Sequence, residues 1–144
     1  GPDMGMKHVM PQFIDRLIKV KKNNSSELSI KGSLEATRAF CFVKDLVQGL
    51  KILELSSADN EIYHIGTQDE VKIKDLISII SELLEIKIKK INSEQSFKGE
   101  TLRRCPDTSK IESLGFKASI KLEDGIKETL AWYLANINDK GSLL

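Results

Sequence analysis

Arg38-Ala39-Phe40-Cys41-Phe42-Val43-Lys44-Asp45 is the stretch on which the reading of this chain turns. From Arg38 to Val43 the residues alternate, with Arg38, Phe40 and Phe42 on one face and Ala39, Cys41 and Val43 on the other, the period of a strand. Val43, Leu46, Val47, Leu50 and Leu53 then recur at helical spacing to about Leu55, and residues 56–60 close that helix in polar side chains. Arg38 is the one charge in an otherwise apolar strand, so it needs a counter-charge. Asp45 or Glu35 could supply one from within the chain, and a bound phosphate could supply one from outside.

Outward from that stretch, Val9, Met10, Phe13, Ile14, Leu17 and Ile18 fit a 3.6-residue period over 9–22, with Pro11 tolerable in the first turn. Asn23-Asn24-Ser25-Ser26 breaks that helix. Leu28-Ser29-Ile30-Lys31 alternates as a short strand ending in Gly32. Ile62-Tyr63-His64-Ile65-Gly66 reads as a buried strand, and Ile73, Leu76, Ile77, Ile80, Leu83 and Leu84 form the cleanest amphipathic helix of the chain. Residues 86–91 alternate isoleucine and lysine, as an edge strand does. Asp107 is placed to cap a short helix ending at Leu114, with Gly115 as its left-handed terminator. A last helix over about 122–137 is expected to bury Ile126, Leu130, Trp132, Tyr133 and Leu134, and residues 139–144 read as a frayed tail.

Bulk properties narrow the partners. The 144 residues suit one domain, 40% hydrophobic and 30% charged residues are ordinary globular composition, and Lys+Arg 22 against Asp+Glu 21 offers no general attraction to nucleic acid or a membrane surface. No apolar run approaches the ~20 residues that cross a bilayer. The two cysteines, Cys41 and Cys105, lack metal-ligand spacing and read as reduced thiols, hence a cytoplasmic protein. His8 and His64 are the only histidines and have no third ligand near them, so no metal site is expected.

Short phrases in a fixed order add a family. Gly1-Pro2-Asp3-Met4-Gly5, then 37–45, then Tyr63-His64-Ile65-Gly66-Thr67, then Arg103-Arg104-Cys105-Pro106-Asp107-Thr108-Ser109-Lys110 and Leu114-Gly115-Phe116 resemble the C-terminal, substrate-binding portion of the extended short-chain dehydrogenase/reductases. These are the NAD(P)-dependent sugar-nucleotide epimerases, dehydratases and decarboxylases. The resemblance runs from Gly1 to about Asn136, and Gly1-Pro2 fits both the family's Gly-Pro and a protease-cleavage scar. It implies a small mixed α/β substrate-binding region over residues 1–138, without most of the Rossmann domain. The family's Gly-rich dinucleotide fingerprint and Tyr-x-x-x-Lys pair are not in this sequence. The expectation is therefore no cofactor in this chain, NAD or NADP in the parent enzyme, and no catalytic residue here.

The same resemblance assigns site residues. Its Arg-x-Phe-x-(Tyr/Phe/His)-Val-x-Asp phrase makes Arg38 a contact of the nucleotide diphosphate, and a basic residue from the Arg103-Arg104 stretch approaches the same phosphates. Ahead of Pro106 those two arginines lie in extended chain and point alternately, so one faces a cleft and the other water. Many relatives carry an arginine two residues before the glycine matched by Gly99; Phe97 stands there, and Arg103 or Arg104 has to substitute. Ser29 and Lys31 fall where the family reads the nucleobase. Met10 and Phe13 fall at the helix start that lines the nucleotide pocket, although both also fit a plain core. Asp107, Ser109 and Lys110 need no more than capping and surface charge.

Expected partners are a nucleotide-diphosphate sugar and the Rossmann half. Without that half the chain should self-associate, burying Ile62 and Ile65 or the helix over 73–84. The rival reading is a non-catalytic interaction or assembly module on the same scaffold.

Overall fold

The computed structural model of the chain describes residues 1–5, 7–56, 60–94, 99 and 101–136. Five helices and five short strands follow in the order α1 (Val9–Lys22), β1 (Glu27–Lys31), β2 (Thr37–Ala39), α2 (Val43–Leu55), β3 (Glu70–Lys72), α3 (Ile73–Leu83), β4 (Lys90–Glu94), β5 (Arg103–Arg104), α4 (Ser109–Glu112) and α5 (Leu122–Ala135). They build two small sheets: β1 pairs with β4 in parallel, and β2 lies between antiparallel β3 and parallel β5. This is the mixed α/β architecture the sequence implied.

The core lies where α1, β1, α3 and α5 meet. Ile14, Leu17, Leu76 and Ile80 are fully buried, Ile30, Ile77 and Ile126 are 1% exposed, and Leu130 and Tyr133 close the far side. Each such Leu or Ile contributes about 1.5–3 kcal/mol by leaving water. The Tyr133 hydroxyl donates to the Met4 carbonyl at 2.6 Å, tying α5 to the N-terminal segment. Leu134, expected inside, is instead half exposed at the rim, while Trp132 packs edge-to-face on Tyr133 with ring centres 5.0 Å apart.

Three helices end in the same device. Asn24 after α1, Glu85 after α3 and Gly115 after α4 all have positive φ, and in each case the next residue's amide reaches back five positions: Ser25 to Val20, Ile86 to Ser81, Phe116 to Ile111. This explains a shifted strand. The alternating 86–91 run begins as the closing turn of α3, and pairing starts only at Lys90, after the Lys89 and Lys90 amides donate to the Ser26 carbonyl. Ahead of α4, the N-cap is Thr108 and not Asp107, whose carboxylate instead accepts from the Ser109 amide at 3.0 Å across that cap.

Two expected strands differ more. β2 stops at Ala39 because the backbone must turn into α2, where Phe42 is drawn under α5; a Cβ on Gly125 would stand 2.9 Å from the Phe42 ring. Arg38, Phe40 and Phe42 therefore do not share a strand face. Residues 61–65 pair with no strand among the described residues. They are held by side chains: Lys110 bridges Glu61 at 2.5 Å with its ammonium 4.5 Å over the Tyr63 ring, and His64 Nδ1 sits 3.2 Å from the Asp107 carbonyl oxygen. Ile62 is 82% exposed.

α2 faces two ways. Its inner side carries Asp45, whose carboxylate accepts from the Ser119 amide at 3.1 Å, the Ser119 hydroxyl at 3.0 Å and the Ile120 amide at 3.0 Å. It also carries Gly49, whose backbone lies so close to Ile65 that no side chain fits. Its outer side is an uncovered apolar stripe: Val43, Leu46, Val47 and Leu50 are 41–54% exposed. The helix over 73–84, offered by the sequence as an association surface, is instead locked inside the core; the open helix is α2. The terminal residues 137–144, read as ending the helix and fraying, lie outside the described residues.

Candidate functional site

The three arginines named by the sequence come together on the sheet β3-β2-β5. Thr37 opposes Lys72 and Arg103, and Arg38 opposes Val71 and Arg104. Residues directly opposite across a ladder project to the same face. Arg38 and Arg104 therefore stand side by side, and Arg103 belongs to the other face.

Their surroundings separate them further. Arg38 donates through Nη1 to the Thr37 and Leu102 carbonyls at 2.7 and 3.4 Å, and through Nη2 to the Thr101 carbonyl at 2.7 Å. The guanidinium thus lies over the start of β5. The carboxylates weighed as its partners are engaged elsewhere: Asp45 accepts from Ser119 and Ile120, and Glu35 binds Lys72 and Lys74 at 2.7 and 2.8 Å. Those two lysine hydrogen bonds hold the Glu35 carboxyl down at about 2. Arg103 is engaged by Glu70, whose Oε1 accepts from Nε at 3.0 Å and from Nη2 at 2.6 Å. Glu70 Oε2 accepts from the Thr37 hydroxyl at 2.6 Å, and that bond, with Arg103, keeps the Glu70 carboxyl below the ordinary carboxylate range. Arg104 is exposed and, among the described residues, without an ion pair.

The remaining candidates stand apart. Ser29 and Lys31 are, with Glu27, the exposed positions of β1, on the other sheet. The Ser29 carbonyl accepts from Arg16 Nη1 at 2.8 Å, and Lys31 Nζ lies 4.0 Å from Glu94. Met10 and Phe13, each 7% exposed, are members of the core. Met10 also lines a cavity of about 60 Å3 with Phe40, Cys41, Phe42 and Gly125. A larger cavity of about 180 Å3 opens beside Phe40, Glu70, Val71 and 118–122. Neither cavity is lined by an arginine. Phe97 lies outside the described residues, and no group of three metal-binding side chains occurs among those described. No helix among them is long and apolar enough to cross a membrane.

Sequence reasoning missed Glu70 and Thr37. Both lie on three-residue strands, too short for alternation to declare a face, and their partnership becomes visible only with the β2–β3 register.

With this geometry established, known proteins bear on it. The profile of the GDP-mannose 4,6 dehydratase family matches residues 1–129. GDP-L-fucose synthase 1 of Arabidopsis thaliana is 30% identical over 130 residues, 90% of this chain and 40% of that protein. The dTDP-D-glucose 4,6-dehydratase of Mus musculus is 29% identical and covers 96% of this chain and 39% of its own length. Among solved structures, a dTDP-glucose 4,6-dehydratase from Streptomyces venezuelae, determined with NAD bound, superposes with a TM-score of 0.79 at 26% identity, covering 94% of this chain and 41% of that one. The chain thus spans about 40% of the length of the relatives it matches. It belongs to the GDP-mannose 4,6 dehydratase family, among the NAD-dependent epimerases/dehydratases of the extended short-chain dehydrogenase/reductase class.

Proposed function

We propose that this chain is the part of an NAD(P)-dependent sugar-nucleotide epimerase or dehydratase that grips the nucleotide diphosphate of its substrate. The observation that carries the reading is the Arg38–Arg104 register: two guanidinium-bearing positions on one sheet face, where paired forks suit the oxygens of a diphosphate. Arg103 takes no part, because Glu70 engages it from the opposite face. Ser29 and Lys31 would meet the nucleobase, with Met10 and Phe13 behind them. Such a site holds a long substrate by its unreactive handle and fixes the sugar for chemistry elsewhere.

The chemistry itself would belong to the part of the relatives' length that this chain does not span. The described residues do not fit a dinucleotide: their positive-φ glycines, Gly32, Gly99 and Gly115, do not form a Gly-rich strand-to-helix turn. NAD or NADP would be held by a Rossmann half, and this chain alone is not catalytically competent. That half would cover the α2 stripe and pair with 61–65; in its absence the stripe draws a second copy of the chain. The domain is taken as residues 1–138, and the cytoplasm as its compartment, in keeping with two free thiols. The same open stripe is what favours the alternative, a non-catalytic assembly module.

Calorimetric titration with uridine, guanosine and thymidine diphospho-sugars tests the reading. Arg38→Ala or Arg104→Ala should weaken binding by about 1.5–3 kcal/mol, the scale of hydrogen bonds to a charged group. Unchanged affinity per folded molecule in both variants would make the arginines structural and defeat it. Turnover of any sugar nucleotide by this chain alone would defeat the non-catalytic part.

A further inference from the structure

Two consecutive arginines in a two-residue strand pose a register problem. β5 meets β2 in only two pairs, Thr37 with Arg103 and Arg38 with Arg104. Because side chains alternate, a slip of one position would carry Arg103 onto the Arg38 face and turn Arg104 away. Two ladder pairs are a weak defence against such a slip.

One side chain supplies the defence. Glu70 sits on β3, beyond β2 from β5, and its carboxylate spans the intervening strand. Oε2 accepts from the Thr37 hydroxyl at 2.6 Å on β2, and Oε1 accepts from Arg103 Nε and Nη2 at 3.0 and 2.6 Å on β5. The contact uses the side-on edge of the guanidinium, so it fixes the direction of Arg103 as well as its distance. All three strands of the sheet are clipped through a single carboxylate.

We infer that Glu70 is a positioning residue of the phosphate site: by holding Arg103 and Thr37 on one face it sets the register of β5 and makes Arg104 the arginine that joins Arg38. This rests on the Arg38–Arg104 reading above. A plain surface ion pair would act with the opposite sign, because removing a carboxylate beside an anion site favours the anion. Glu70→Gln therefore separates the two.

The experiment is a titration of the full chain with uridine diphosphate and with inorganic pyrophosphate, followed by amide NMR spectra that also report folding. Glu70→Gln should weaken both ligands about fivefold despite the more favourable charge, the factor that corresponds to losing one ordinary hydrogen bond. Arg103→Gln should weaken them similarly, and the double variant should be no weaker than either single one, since the two remove one interaction. Glu70→Gln binding as tightly as the parent, or tighter, overturns the positioning role while Arg38→Ala and Arg104→Ala still weaken binding. If those two arginine variants change nothing, or the parent chain binds neither ligand, the phosphate reading itself falls. Should Glu70→Gln fail to fold, Arg103→Gln decides, and parent-like affinity in that variant overturns the inference.

Discussion

α3 and α2 carry nearly the same sequence pattern and meet opposite fates. α3 presents Ile73, Leu76, Ile77 and Ile80 to α1 and α5 and keeps each at 7% exposure or less. α2 presents Val43, Leu46, Val47 and Leu50 at the same i, i+3, i+4, i+7 spacing and leaves them 41–54% exposed. What anchors α2 is polar or backbone contact: the Asp45 carboxylate on Ser119 and Ile120, and Gly49 against Ile65. The difference teaches that an apolar stripe states that a helix must be covered and leaves open by what. Residues 61–65 share the condition of α2, extended, without a paired strand among the described residues, and ending on Ile65 under Gly49.

The largest expected effect breaks the closed region. Leu76→Ala, at a fully buried position, should cost about 2–5 kcal/mol, read from denaturant unfolding. A cost below about 1 kcal/mol would mean the core around α3 is not packed as described. On the open helix the same apolar residue type should matter far less. Leu46→Lys should change stability by no more than about 0.5 kcal/mol, yet reduce self-association of the chain in sedimentation if the stripe is the proposed contact. A Leu46→Lys chain that unfolds would show that α2 is covered after all.

The smallest effect is a pH dependence at the edge of the closed region. Glu35 has its carboxyl lowered from 4.5 to about 2 by Lys72 and Lys74. A depressed folded-state value contributes stability that is present above the unfolded value and lost as pH falls through the folded one. Glu35→Gln should therefore match the parent near pH 2 and fall slightly below it above 4.5. The carboxylate is exposed, so the gap should be small and should shrink with salt.

Legibility followed chain distance. The helices over 9–22, 43–55 and 73–83 were readable because their periodicity is local, and β1 because Leu28 and Ile30 alternate cleanly with Ser29 and Lys31. The late start of β4 was not readable, because it depends on Glu85 adopting a left-handed conformation that glycine or asparagine usually marks. The strand expected over 38–43 shortened because Phe42 answers to Gly125, far along the chain. At the candidate site, the need of Arg38 for partners was readable, and the backbone carbonyls of Thr37, Thr101 and Leu102 that accept from it were not. Arg103 and Arg104 are equivalent in sequence and become distinct through the β2–β5 register and through Glu70, which binds Arg103 from a position 33 residues away.

Amide hydrogen exchange on the intact chain tests the contrast most directly, since protection reports the opening free energy of each segment. The account predicts strong protection in α1, α3 and α5, weaker protection in α2, and rapid exchange of the 61–65 amides, measured at concentrations where the chain is monomeric. Protection of α2 and 61–65 equal to that of α3 in the monomer would contradict it, showing a single closed domain with no face awaiting a partner.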